Sequence, residues 1–164
     1  FYDLTAFMSN NTNINTNNTQ NSPFQGSLTR DIGPQLIIFQ LNVEGLSRDK
    51  SSYLARLLPE LKADVVLLQE THVPDEEQMH CRGNIDGYKL ISATYHKQYG
   101  TATYIRNDIS NSSHIHTTMT GPVSVITTRV ANITILNIYK PPNEKWPLPT
   151  LPSVQHPSVL AGDF

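Results

Sequence analysis

The feature that most constrains this chain is a pair of short apolar runs on either side of an amphipathic stretch. Leu36-Ile37-Ile38-Phe39-Gln40-Leu41 is short, apolar and partly β-branched, and reads as a buried strand; Ala63 to Leu68 reads as a second. Between them Tyr53, Leu54, Leu57, Leu58 and Leu61 recur at helical spacing and make one apolar face. Ser47 stands where a helix cap is wanted, and Pro59, inside the pattern, should break or kink the last turn. Strand, helix, strand is a crossover unit with parallel neighbours, which points to a layered α/β arrangement.

The second half changes character. Tyr88–Thr94, Thr101–Arg106, Val123–Val130 and Ile133–Tyr139 are short β-type runs between turn signals, and Ala131-Asn132 is short enough to close a hairpin. Six prolines then fall between residues 141 and 157, a connection expected to be extended and poor in regular structure. Ser158-Val159-Leu160-Ala161 is a last apolar run, leading into Gly162-Asp163. The expected fold is an α/β layered domain with a mixed sheet.

The 164 residues allow one domain with a tail, and 38% hydrophobic residues suffice for a core. Residues 1–34 are expected to be a disordered leader, because the Asn/Thr-rich tract at 9–22 has too little apolar surface to offset its ordering entropy. A formal net charge of -2 disfavours binding to nucleic acid through bulk positive charge, yet leaves room for a nuclease with carboxylates at its site. The single cysteine, Cys81, excludes an internal disulfide or a Cys-rich zinc site. There is no apolar run long enough for a membrane helix and no secretion-signal pattern at the start, so the expected location is intracellular, nuclear or cytoplasmic, without a membrane partner. The chain opens on Phe1 and stops at Phe164, so it is expected to be a piece of a longer protein.

Several strands deliver a polar residue at their carboxyl end: Asn42 and Glu44, Glu70, Tyr139 and Asp163. Sites in α/β sheets form where such ends converge. Two carboxylates and an amide there can hold a hard cation that keeps several waters. A further Asp can deprotonate a water, and a tyrosine hydroxyl can donate to a phosphate oxygen. Each residue singly is also an ordinary loop or cap residue.

Taken in order, Asn42-Val43-Glu44-Gly45-Leu46, Leu67-Leu68-Gln69-Glu70-Thr71, Ile138-Tyr139-Lys140-Pro141-Pro142 and Leu160-Ala161-Gly162-Asp163-Phe164 resemble the endonuclease/exonuclease/phosphatase superfamily of DNase I-like folds. Tyr99 to Asp108 resembles the central strand of its non-LTR retrotransposon endonucleases, the most similar group. The resemblance runs from about residue 35 to the end and implies a two-sheet sandwich flanked by helices, with its C-terminal part missing. It implies Mg2+ or Mn2+ as cofactor and DNA as substrate, nicked for primed reverse transcription by a reverse transcriptase domain on the same parent chain. By the same resemblance Glu70 is the principal metal-binding carboxylate, Glu44 a secondary outer one, and Asn42 supports metal and phosphate. Tyr139 contacts the scissile phosphate, Asp163 activates water or assists the leaving group, and Lys140 approaches the DNA backbone, its ordinary reading being a solvated lysine.

The departures are equally specific. Leu41 stands where many relatives have Trp, the Asn that follows Gly-Asp-Phe lies beyond Phe164, and no Asp-His pair occurs. The 164 residues alone are therefore expected to fold poorly and to be inactive. Phosphomonoesterases and phospholipases share the fold, and an inactive transposon relic is the non-enzymatic alternative. Elsewhere, His114 and His116 are two apart and on a regular strand would share a face, though without a third ligand. His72 reads as a loop residue close to Glu70, Asp75-Glu76-Glu77 as a solvated helix start, and Trp146 as a side chain packed under the Pro-rich connection.

Overall fold

The computed structural model describes residues 5–8, 35–146 and 153–164. The first sheet holds β1 (Thr5–Met8), β2 (Ile37–Asn42), β3 (Val65–Gln69), β4 (Tyr88–Thr94) and β5 (Thr101–Arg106), in the order β1-β2-β3-β5-β4. β2 and β3 are parallel, with Ile38 opposite Val65 and Asn42 opposite Gln69, and helix α1 (Arg48–Glu60) makes the expected crossover. β1 pairs antiparallel to β2, so four residues of the expected leader form a strand; the rest of that leader lies outside the described residues, as do residues 147–152 of the Pro-rich connection.

Local chemistry sets the ends of α1. The Ser47 side chain accepts from the Lys50 amide, and the helix runs one residue past Pro59. Lys62 then turns left-handed (φ 55), with Lys62 N donating to Pro59 O and Ala63 N to Leu58 O, which is Schellman closure. Buried Leu58 and Ala63 give the accompanying apolar contact. The helix is rotated relative to the expected apolar stripe: Ser51, Leu54 and Leu58 are buried, whereas Tyr53 is 56% exposed and Leu61 38%. On the buried side α1 meets α2 (Glu76–Arg82), whose Arg82 carbonyl accepts from Ser51 Oγ at 2.5 Å. Asp75 caps α2, accepting from Gln78 N.

The second sheet holds β6 (Ser112–Thr120), β7 (Val123–Val130), β8 (Ile133–Tyr139) and β9 (Ser158–Asp163) in that order. β7 and β8 form the expected hairpin, and β9 returns parallel to β8. β6 was not among the expected runs; it is an edge strand exposed over most of its length and lacks apolar alternation. A bulge between His114 and His116 sets them opposite neighbouring residues, Thr128 and Thr127. The two histidines therefore point to opposite faces, one bonding Thr117 and the other Thr118, and cannot share a metal.

Three layers of packing result. Phe39, Leu54, Leu58, Val66, Leu68 and Met79 join both helices to the outer face of the first sheet. Ile38, Val65, Leu67, Ile105, Val130 and Ile135 fill the space between the sheets. Val125, Leu136 and Ile138 lie on the far face of the second sheet with Val154 against them.

Candidate active site

At the carboxyl ends of β2 and β3 the parallel pairing continues into the loops. Val43 N donates to Gln69 O, Gly45 N to Glu70 O and Leu46 N to Thr71 O. From the other side Thr71 N donates to Gly100 O and His72 N to Tyr99 O. Glu70 is thus held by loops on both flanks, and its φ of 52 ends the strand alternation at this residue. That turn brings its carboxylate within reach of the facing sheet. Glu44 (φ 43), Gly45 (φ 88) and His72 (φ 53) are left-handed too, a concentration of backbone strain at one end of the sandwich. A Cβ at Gly45 would stand 3.3 Å from His72 Nδ1, so a side chain there would require His72 to give slightly.

Two contacts between the sheets assemble the site. Tyr139 Oη donates to Glu70 Oε1 at 2.9 Å, and Asn42 Nδ2 donates to Asp163 Oδ2 at 2.8 Å. Tyr139 and Asp163 are directly opposite each other on β8 and β9. Gly162 permits this pairing: its φ is 153, and a Cβ would overlap the Ile138 carbonyl. Burial, reinforced by the hydrogen bond and charge of Glu70, holds the Tyr139 phenol far above its ordinary pKa of 10, so it is neutral and a donor at physiological pH.

The structure brings four of the expected residues together: Asn42, Glu70, Tyr139 and Asp163. Glu44 is exposed and tied in through its backbone, its amide donating to Asn42 Oδ1 and its carbonyl accepting from Lys50. Lys140 Nζ donates to the Pro141 and Glu144 carbonyls, so its charge is engaged in its own loop. Trp146, 37% exposed, meets Phe164 edge to face at a centroid distance of 6.0 Å. Among the described residues no cluster of three His, Cys, Asp or Glu side chains could hold a metal ion. Glu70 Oε2 lies 3.6 Å from His72 Nε2, and Asn42 Oδ1 accepts from the Glu44 amide.

Several neighbours of the site were not evident from the sequence. Lys50 donates from Nζ to the carbonyls of Val43, Glu44 and Gly45 (2.6, 3.0 and 2.9 Å), fastening the loop between β2 and α1. His72, by contrast, reads from the sequence as lying close to Glu70, and its Nε2 is buried, unbonded and 3.6 Å from Glu70 Oε2. Tyr99 stacks on His96 and tilts toward Tyr139 at 5.8 Å. Gln69 and Asn137, inside the sandwich, join through their amides at 2.7 Å. The one available signal for this last pair was an amide at an inward position in each of two otherwise apolar strands.

Comparison with known proteins agrees with this architecture. The AP endonuclease LMAP from Leishmania major superposes with a TM-score of 0.50 at 22% identity, over 62% of this chain and 39% of that one. An AP endonuclease from Archaeoglobus fulgidus gives 0.45 at 21%, over 63% and 40%. The chain thus spans 39% and 40% of the lengths of those two proteins; the likeness to the Leishmania structure is one of fold, a DNase I-like α/β sandwich. No curated protein matches the sequence significantly. Residues 39–164, from the middle of β2 to the last residue, match the Endonuclease/Exonuclease/phosphatase family, and the chain belongs to that family.

Proposed function

We propose that this chain is part of a divalent-metal-dependent DNA endonuclease of the non-LTR retrotransposon type, which hydrolyses a phosphodiester bond to nick target DNA for primed reverse transcription. The observation that carries this reading is the meeting of Glu70 with Tyr139 and of Asn42 with Asp163 between the two sheets. It is supported by family membership and by the resemblance of the four motifs.

Glu70 Oε2 and Asn42 Oδ1 would hold Mg2+ or Mn2+, with Glu44 the nearest further carboxylate in sequence. The bound ion supplies Lewis-acid polarisation of the phosphate and neutralises its charge. Asp163 takes the proton from the attacking water, and its bond from Asn42 fixes which carboxylate oxygen remains free to do so. Tyr139, kept neutral, gives its one phenolic proton to Glu70 here and would turn it to a phosphate oxygen once substrate and metal occupy the site. Substrate DNA reaches this end of the sandwich, and the reverse transcriptase that uses the nick lies elsewhere on the parent protein.

The test is nicking of supercoiled plasmid in Mg2+ by the parent protein and by its Glu70→Gln and Asp163→Asn variants, with inositol phosphates as the competing substrate. We expect plasmid nicking to fall by about a hundredfold or more in either variant. Unchanged nicking would remove the site assignment, and release of phosphate from inositol phosphates without nicking would move the chain to the phosphatase branch of the fold.

A further inference from the structure

The space between the sheets is apolar at one end and polar at the other, and the polar end lies beneath the site. Gln40 Nε2 donates to Gln69 Oε1 at 2.7 Å, and Gln69 Nε2 donates to Asn137 Oδ1 at 2.7 Å. Asn137 Nδ2 donates in turn to the Ala102 carbonyl at 3.0 Å and to Thr103 Oγ1 at 3.2 Å. Gln69 and Asn137 are completely buried. Asn137 belongs to β8 and its other partners here to the first sheet, so it is a peg from one sheet fixed in the other. Gln69 immediately precedes Glu70, and Asn137 is two residues before Tyr139, on the same face of β8.

We infer that Gln69 and Asn137 are positioning residues whose amide bridge sets the register in which Glu70 meets Tyr139. The inference rests on the site reading above. Apolar side chains would hold the sheets together as well, but their attraction is non-directional and tolerates sliding. An amide bridge has one length and one direction, and a slip leaves buried amides unpaired, at a cost that apolar packing does not impose. Register is the role for which buried polar groups are best attested.

The experiment measures the coupling between positions 70 and 139 by a double-mutant cycle of Glu70→Gln and Tyr139→Phe, read from urea unfolding without metal. It is run in the parent protein and again in the same protein carrying Gln69→Leu with Asn137→Leu. Replacing both amides avoids orphaning either of them. We expect the urea midpoint to fall, because Gln40 Nε2 and Thr103 Oγ1 lose a partner, and the coupling to fall roughly threefold or more. A coupling that survives in the Leu pair overturns the inference, because a merely structural bridge predicts that result. The exchange Gln69→Asn with Asn137→Gln keeps the bridge and its overall length, and there the coupling should return. If the Leu pair does not fold, the exchange decides: coupling lost in the folded exchange variant also overturns the inference. Calorimetric titration with Mn2+ separates this from the functional reading. If Glu70→Gln binds Mn2+ as well as the parent does, the metal assignment fails, while the cycle still decides the positioning role.

Discussion

The two ends of the sandwich interior are built differently. At one end Ile38, Val65, Leu67, Ile105, Val130 and Ile135 meet in an apolar cluster. At the other, Gln40, Gln69, Asn137 and Thr103 meet through directed hydrogen bonds, and Glu70, Tyr139, Asn42 and Asp163 lie just above. The same strands supply both ends. The apolar end removes area from water and so carries more of the stability. The polar end contributes little net free energy per bond but fixes which atoms face each other. Holding together and holding in place are thus assigned to different stretches of the same strands.

The sharpest way to break the polar end alone is Gly162→Ala. The added Cβ meets the Ile138 backbone, which cannot step aside, so β9 must shift and carry Asp163 with it. We expect a loss of about 3 kcal/mol or more in urea unfolding. A variant of unchanged stability that keeps the Asn42–Asp163 bond in its crystal structure would refute the packing argument. At the apolar end, Ile135→Ala should cost about 2–5 kcal/mol by leaving a cavity. The Mn2+ affinity of the folded variant should nevertheless stay at the parent value; a tenfold drop in calorimetry would show that the two ends are not separable.

Between the first sheet and its helices, pH offers a milder probe. Burial raises the Tyr104 phenol above its ordinary pKa of 10, so the native chain keeps this proton where the unfolded chain loses it. The stability this supplies is complete below pH 10 and is lost as pH climbs from there through the raised native value. Tyr104 should add about 1.4 kcal/mol per pH unit to the slope above that point, read as the difference between the parent and Tyr104→Phe in urea titrations. A flat difference would contradict its burial. Smallest of all, Ser47→Ala should cost about 1 kcal/mol by removing the α1 cap, with no change at either end of the sandwich. Altered Mn2+ binding in that variant would mean that α1 reports directly to the site.

What the sequence made legible follows the same division. The crossover of β2, α1 and β3 could be read because apolar periodicity is local, and so could the hairpin at Ala131-Asn132. Asn42, Glu70, Tyr139 and Asp163 stood out as polar residues at the ends of apolar strands. The pairing of Gln69 with Asn137 did not, since the two amides that meet are 68 residues apart and an inward amide in a strand does not say which residue it will meet. β6 escaped because an exposed edge strand needs no apolar alternation. Tyr53 and Leu61 were placed on the buried face because the side of α1 that is covered depends on what it packs against, which the spacing within α1 cannot encode. His114 and His116 were set on one face because a bulge is invisible in a count of residues.

The bond from Asn42 to Asp163 spans 121 residues, and that from Tyr139 to Glu70 spans 69. As the chain leaves the ribosome, the helical layer and the first sheet can close long before β9 exists. The bond from Asn42 to Asp163 then forms late, only when β9 docks on β8. Nascent chains arrested between Tyr139 and Asp163 would hold the Glu70–Tyr139 contact without the Asn42–Asp163 one, so the two contacts between the sheets are made at different times in synthesis.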